Sequence, residues 1–131
     1  MIAINNSRCT ECGICMQICS WTHFNEHNPH RSRIQIAAHW PHLPAISVCL
    51  ACAKRECVEA CPTEALTWDE WVRLDPAACD FCGACVTACP VQGIHPDPRT
   101  RLPLICDTCS GAFECTRWCP NDAIRIKGAN P

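Results

Sequence analysis

Residues 79–90 read CDFCGACVTACP, and this run of four cysteines followed by proline decides how the chain folds. Two residues separate the first three cysteines from one another, and three residues separate the third from the fourth. The same spacing occurs at residues 9–19. Residues 49–61 and 106–119 keep its beginning and end but widen the middle gap to four and five residues. All sixteen cysteines of the 131-residue chain therefore fall into four groups of four.

This spacing is typical of chains that bind cubane iron–sulfur clusters. Three closely spaced cysteines let a tight loop surround one cube, with backbone N–H groups directed toward the sulfurs. A cysteine four residues after the third lies about one helical turn further on, so it can bind a different cube. Proline then ends the helix, as in Cys61-Pro62, Cys89-Pro90 and Cys119-Pro120. The sequence predicts four [4Fe-4S] clusters, held in pairs by all sixteen thiolates.

Two other cysteine chemistries compete with this interpretation. Secreted disulfide-rich domains also contain many cysteines, but the segment Met1–Arg8 has no charged part followed by an apolar part, so no export signal is visible. Zinc ribbons use C-x2-C pairs that lie well apart, whereas Cys9 to Cys19 places four thiols within eleven residues. A disulfide scaffold and a zinc module that binds nucleic acid are both disfavoured. We expect a reducing, cytoplasmic location.

Each Cys-Pro pair leads into a short apolar segment, which indicates short strands between short helices. Hairpins are predicted for Leu66–Trp68 with Val72–Leu74 and for Ile94–His95 with Leu102–Ile105. A further strand pair is predicted at the chain ends, between Ile2–Asn5 and Ile124–Lys127. Helices are predicted at Ile14–Trp21, Val58–Ala60, Ala84–Ala88 and Phe113–Trp118. The expected fold class is α+β, with two bacterial-ferredoxin-like dicluster units and little regular structure.

The segment Ser20–Val48 does not repeat elsewhere in the chain. Serine replaces proline after Cys19, so the first helix can continue to Phe24. Five of the six histidines lie in this insertion, at His23, His27, His30, His39 and His42. Histidine replaces cysteine at some iron–sulfur centres, but sixteen cysteines already supply four cubes. We therefore interpret these histidines as polar surface or partner-contact residues, in an insertion suited to docking or to packing against the chain's own clusters.

Several functional classes lack their sequence signals here. The chain has five glycines and no glycine-rich phosphate loop. It has no run of eighteen apolar residues, so no membrane span is predicted. A net charge of −2 with mixed signs does not favour nucleic acid. Acidic residues such as Glu11 and Glu64 are interpreted as solvated surface. No catalytic residue is predicted, and chemistry on a substrate is assigned to a partner.

The cysteine series, most clearly Cys49-Leu50-Ala51-Cys52 and the run Cys57–Leu66, resembles the four-cluster iron–sulfur electron-transfer subunits of molybdenum and tungsten oxidoreductases. Residues 9–24 and 28–34 are similar to the small polyferredoxin subunits that accompany tungsten aldehyde oxidoreductases of the aldehyde:ferredoxin type and tungsten benzoyl-CoA reductases. The resemblance covers nearly the whole chain. It implies a non-catalytic electron-transfer subunit of an oxidoreductase complex.

The resemblance also implies partners. Electrons would pass between a large tungsten-pterin catalytic subunit and a flavin or NAD-reducing subunit, a ferredoxin, or further copies of the same chain. Self-association would extend the row of clusters into a filamentous conduit. A free-standing polyferredoxin shuttle is the alternative, although five tryptophans and a near-neutral charge favour a permanent subunit.

In the resembled family the first motif pairs with the fourth and the second with the third. Carried over, this implies cluster one at Cys9, Cys12, Cys15 and Cys119; cluster two at Cys106, Cys109, Cys115 and Cys19; cluster three at Cys49, Cys52, Cys57 and Cys89; and cluster four at Cys79, Cys82, Cys85 and Cys61. The first unit then comprises residues 1–48, including the insertion at 20–48, with 104–131; the second comprises 49–103. Pairing of neighbouring motifs is the alternative, but the short link Trp68–Pro76 and the predicted pairing of the chain ends favour the nested arrangement.

Overall fold

The computed structural model describes residues 2–128, so residues 1 and 129–131 of the predicted first unit lie outside the described part. In that range eight short strands form four two-stranded antiparallel sheets. The strands are β1 Ile2–Ile4, β2 Gln35–His39, β3 His42–Ser47, β4 Leu66–Asp69, β5 Trp71–Leu74, β6 Ile94–Pro96, β7 Pro103–Ile105 and β8 Ile124–Ile126. The α-helices are α1 Ile14–Phe24, α2 Glu56–Ala60, α3 Ala84–Ala88 and α4 Glu114–Trp118. Single 3-10 turns lie at Asn6–Arg8, Pro29–Arg31 and Thr108–Gly111.

The three predicted strand pairs are confirmed. β4 pairs with β5 and β6 with β7 as hairpins, with Leu66 opposite Leu74 and Ile94 opposite Ile105. At the chain ends β1 pairs with β8, with Ile2 opposite Ile126. All four predicted helices are present, and α1 continues to Phe24 because no proline follows Cys19.

The hairpin formed by β2 and β3 inside the insertion was not predicted. The sequence indicates a break there because of Pro41 and Pro44. In the structure Pro41 lies in the turn between the strands, and Pro44 lies where the register shifts between Ala37 and His39. Proline has no backbone N–H to donate, but neither position has to donate one to a regular ladder of hydrogen bonds. Proline is therefore tolerated at turns and bulges.

Two apolar cores hold these elements together. One is built around buried Ile2, Ile34, Val48 and Ile124, and it includes three buried cysteines of the first and fourth motifs. The other is formed by four buried side chains of the two hairpins, Leu66, Val72, Ile94 and Ile105. Helix α1 packs against α4 beside the first core, and α2 packs against α3 beside the second. Each core therefore lies next to a pair of cysteine-bearing helices.

A buried ion pair fastens the insertion to the second core. Arg31 donates from Nη2 to Asp97 Oδ2 at 2.8 Å and from Nε to Asp97 Oδ1 at 3.1 Å. Glu26 links this pair to the surface by accepting from Arg31 at 3.1 Å and from Arg99 at 2.9 Å. The Arg31 guanidinium also lies 3.8 Å from the ring centre of Phe24. The insertion thereby joins the end of α1 to the β6–β7 turn.

The charges of this pair are mutually dependent. Burial would raise the pKa of Asp97, whose side chain is only 2% exposed, but the hydrogen bonds and charge of Arg31 lower it to about 2. Asp97 is therefore ionised at neutral pH, and its removal leaves a buried guanidinium without its principal partner.

We expect Asp97→Asn to destabilise the protein by about 3 kcal/mol, because it removes the principal charged partner of buried Arg31 and leaves only Glu26. The measurement is the midpoint of guanidinium unfolding, followed by circular dichroism on anaerobically isolated protein. Asp69→Asn is the matched control, since the Asp69–Arg73 pair is about half exposed or more on both sides and should contribute about 0–1 kcal/mol. Equal midpoints for the two variants would contradict a clamping role for Arg31 and Asp97.

Candidate metal centres

The four cysteine loops share two positions of positive φ, including the two loops with widened gaps. The residue before each second cysteine has a positive φ, at Glu11 (60°), Ala51 (53°), Phe81 (62°) and Thr108 (56°). So does the residue two positions before each third cysteine, at Gly13 (73°), Arg55 (53°), Gly83 (76°) and Phe113 (49°). Non-glycine residues rarely adopt this conformation. Its recurrence at equivalent positions curls each loop into a backbone nest, whose N–H groups suit an anionic centre such as an iron–sulfur cube.

The last cysteine of three motifs accepts a backbone hydrogen bond from the residue four positions later. Ala65 donates to Cys61 Sγ at 3.3 Å, Gly93 to Cys89 Sγ at 3.2 Å and Ala123 to Cys119 Sγ at 3.3 Å. In each case the donor follows another residue of positive φ, namely Glu64, Gln92 or Asp122. Backbone donors to sulfur are one of the means by which a protein sets the potential of an iron–sulfur cluster. These bonds therefore orient the thiol and prepare it to bind as a thiolate.

Quartet one denotes the four cysteines that are predicted to bind cluster one, and quartets two, three and four are named in the same way. Cys15 of quartet one lies close to Cys9, Cys12 and Cys119, and these four line one cavity. Quartet two lines a second cavity, and quartet four lines a third of about 240 Å³. In quartet three, Cys49 lies close to Cys52, Cys57 and Cys89. The structure thus brings together each of the four sets that the nested pairing implies.

Without a bound cation, several cysteines of the quartets stay protonated as neutral thiols. Burial, together with the neighbouring sulfurs, raises the pKa of Cys15 to about 12 and that of Cys49 to about 11. Burial likewise raises the pKa of Cys106 to about 12 and raises that of Cys115. All sixteen cysteines are free thiols rather than disulfides. Groups of four converging, mostly half-buried thiols with backbone donors fit iron–sulfur cubes, because bound iron deprotonates its thiol ligands outright.

The quartets form a row. Cys15 of quartet one lies near Cys115 of quartet two, and Cys106 of quartet two lies near Cys49 of quartet three. Quartets three and four meet where α2 packs against α3. The two exposed cysteines of the sixteen, Cys12 and Cys82, belong to quartets one and four. Both ends of the row therefore reach the surface, while every cysteine of quartets two and three is buried or half-buried.

The interpretation of the insertion's histidines as surface residues is wrong for His23. Its side chain is only 11% exposed, its Nε2 lies 2.9 Å from Asp107 Oδ1, and its Nδ1 lies 2.8 Å from the carbonyl oxygen of Cys19. Burial would lower the pKa of His23, but the hydrogen bonds with Asp107 and Cys19 raise it to about 9. The other four histidines are exposed, as expected.

A sequence signal for His23 exists, although the prediction did not use it. His23 lies four residues after Cys19, so the two side chains share one face of α1. Asp107 directly follows Cys106, which belongs to the same quartet as Cys19. His23 and Asp107 each lie close in sequence to a cysteine of quartet two, so the sequence indicates that the two side chains meet beside that quartet.

Repeated cysteine loops, paired helices and short hairpins define the ferredoxin-type iron–sulfur proteins. Residues 8–66 and residues 48–94 each match a 4Fe-4S dicluster domain family. The chain is 34% identical to the polyferredoxin-like subunit of aliphatic sulfonate oxidoreductase from Pyrococcus furiosus, over 98% of this chain and 78% of that subunit. It therefore belongs to the family of polyferredoxin-like iron–sulfur proteins that serve as electron-transfer subunits of oxidoreductases.

Two other proteins are also similar to this chain over most of its length. The beta subunit of NADH-dependent phenylglyoxylate dehydrogenase from Aromatoleum evansii is 32% identical over 95% of this chain, which spans only 29% of that subunit. The fold is also similar to a chain of the active site complex BamBC of benzoyl coenzyme A reductase bound to benzoyl-CoA, with a TM-score of 0.53 and 24% identity over 95% of this chain and 76% of the other. The expected α+β dicluster fold and the iron–sulfur class are confirmed.

No helix within residues 2–128 combines the length and the apolar character needed to cross a membrane. The cytoplasmic location stays a prediction.

We expect Gly93→Ala to remove cluster three selectively. A Cβ at Gly93 would lie 2.5 Å from the backbone nitrogen of Cys49 and 2.5 Å from the carbonyl carbon of Val48, so the chain at Cys49 must move. Gly93 also donates to Cys89, the other end of the same quartet. Iron and acid-labile sulfide per chain should fall by about a quarter, as expected for the loss of one cube in four.

Gly128→Ala is the control for that experiment, because its positive φ of 86° also strains an alanine, while no atom lies within 4 Å of the new Cβ and no neighbouring chain has to move. It should bind as much iron as the unaltered protein. A Gly93→Ala protein with undiminished iron would contradict the placement of Cys49 and Cys89 around one centre.

Proposed function

We propose that the chain carries four [4Fe-4S] clusters and relays electrons along them between a catalytic subunit and an acceptor. The observation that supports this most directly is the row of four thiol quartets, whose two exposed cysteines, Cys12 and Cys82, belong to the quartets at its ends. Each quartet would hold one cube with the ligand sets given above. The corresponding units are residues 1–48 with 104–131, and residues 49–103.

The protein itself contributes position and environment. When bound, the cubes supply one-electron oxidation and reduction. The two apolar cores and the Arg31–Asp97 pair fix the separation between the quartets, and backbone donors to Cys61, Cys89 and Cys119 stabilise negative charge on sulfur. The inner quartets have no exposed cysteine, while the exposed ends allow electrons to enter and leave.

A permanent subunit is favoured over a free-standing shuttle by large apolar side chains at the surface. Trp40 at the β2–β3 turn is 89% exposed, and Leu43 beside it is 60% exposed. Phe81 and Trp118 are both more than half exposed, and they flank Cys82 of quartet four and Cys119 of quartet one respectively. Contiguous apolar residues at a surface mark sites of association. Exposed aromatic groups next to both ends of the row support partners at each end.

The catalytic partner that we propose is a tungsten-pterin subunit of the aldehyde oxidoreductase type. Its support is the resemblance of the first motif and the insertion to subunits of that branch, together with the relatedness to a polyferredoxin-like oxidoreductase subunit. A flavin or NAD-reducing subunit at the other end is supported by the relative that belongs to an NADH-dependent dehydrogenase. Association with further copies of the chain would extend the same row.

Anaerobic isolation of the affinity-tagged chain from its own cells tests this assignment. We expect a large subunit to co-purify at a fixed ratio with tungsten, measured by inductively coupled plasma mass spectrometry, and we expect an aldehyde to bleach the visible absorbance. A chain that elutes alone with its full iron content would favour the free-standing shuttle. Molybdenum in place of tungsten would contradict the tungsten assignment, and a mass that rises with concentration would support self-association.

A further inference from the structure

His23 carries a positive charge because of the atoms that face its ring. Nδ1 lies 2.8 Å from the backbone carbonyl oxygen of Cys19, and Nε2 lies 2.9 Å from a carboxylate oxygen of Asp107. Both of these oxygens only accept hydrogen bonds, so each ring nitrogen must donate. An imidazole that donates from both nitrogens is an imidazolium cation.

This cation lies against the sulfur of Cys19. The Cys19 Sγ is 3.8 Å from His23 Nδ1, and it accepts the backbone N–H of Arg33 at 3.3 Å. Cys19 is only 7% exposed, so solvent screens the interaction weakly. The charge is thus close to one sulfur of quartet two and is shielded from bulk water.

The surrounding groups hold the cation in place and leave a net positive charge. Asp107 accepts from Arg33 Nη1 at 2.8 Å and from the backbone N–H of Cys109 at 2.9 Å, besides its bond with His23. The carboxylate therefore neutralises one of the two cations, and the network of His23, Asp107 and Arg33 keeps one positive charge. Asp107 cannot swing away without breaking all three bonds.

Among residues 2–128, no cationic side chain lies within hydrogen-bond distance of a sulfur of the other three quartets, and the Arg8–Asp122 pair beside quartet one is about half exposed or more on both sides. In these quartets the fourth cysteine of a motif (Cys61, Cys89 or Cys119) accepts a hydrogen bond from a backbone N–H group. Cys61 also lies 3.6 Å from the hydroxyl of Thr63. Proline after each of these cysteines turns the chain away. Only Cys19, followed by Ser20, lies in a helix that continues far enough to place a histidine one turn later.

A separate metal ion is not the better explanation of this group. His23, Asp107 and Cys109 lie within 4.8 Å of one another. However, both nitrogens of His23 are used in hydrogen bonds, and Cys109 belongs to quartet two. His23 and Asp107 are therefore better described as charged neighbours of quartet two.

We propose that His23 is a positioning residue that places a fixed positive charge beside Cys19 and thereby raises the reduction potential of cluster two alone. Reduction adds an electron to the cube, so a nearby cation stabilises the reduced state more than the oxidised state. This inference rests on the proposed binding of a cube by quartet two. Cluster two, which is one position from the end of the row at Cys12, would then retain an electron.

The test is an anaerobic redox titration of the intact four-cluster protein, followed by electron paramagnetic resonance. In His23→Gln we expect one midpoint potential to move to a more negative value while the other three stay unchanged. His23→Lys, which retains a cation, should move that midpoint less. His27→Gln is the matched control, because His27 lies in the same insertion but is exposed and stacks on Trp21 at 4.9 Å; it should move none.

Four unchanged midpoints in His23→Gln with full iron content would overturn the inference and leave the proposed function intact. A wild-type chain without clusters would instead overturn the proposed function. Should His23→Gln bind less iron, Arg33→Gln decides the matter, since it removes one positive charge from the network and retains the backbone bond to Cys19. We expect the same single midpoint to move to a more negative value, and an unmoved midpoint would refute the charge effect.

Discussion

The structure depends on the grouping of its thiols into four sets. Burial, and after it the neighbouring sulfurs, raise the pKa of Cys15 and that of Cys115, so these cysteines need bound cations to become thiolates. The repeated positive-φ positions provide the tight loops and the backbone donors that such centres require. Short strands and short helices are then sufficient, because they need only hold the cysteine loops in position.

The insertion has two structural effects that the repeated motifs do not supply. Through Arg31 it binds Asp97 of the β6–β7 turn, which fixes the second core relative to α1. Through His23 and Arg33 it places charge next to Cys19, close to the point where Cys106 of quartet two approaches Cys49 of quartet three. One segment thus both maintains the junction between the two inner quartets and sets its electrostatics.

Much of this arrangement could be predicted because it follows from local rules. The helix positions follow from the cysteine spacing, and the hairpins follow from the apolar segments after each Cys-Pro pair. The β2–β3 hairpin escaped prediction because the tolerance of Pro41 and Pro44 depends on a turn and a bulge that only the paired strands define. The partners of His23 and Arg31 lie 84 and 66 residues away along the chain, and tertiary packing alone brings them together.

Analysis of iron, acid-labile sulfide and zinc in anaerobically isolated protein tests the central claim most directly. Four cubes predict about sixteen iron atoms and about sixteen sulfides per chain, with little zinc. A chain that contains zinc without sulfide, or whose cysteines titrate as disulfides, would contradict the account.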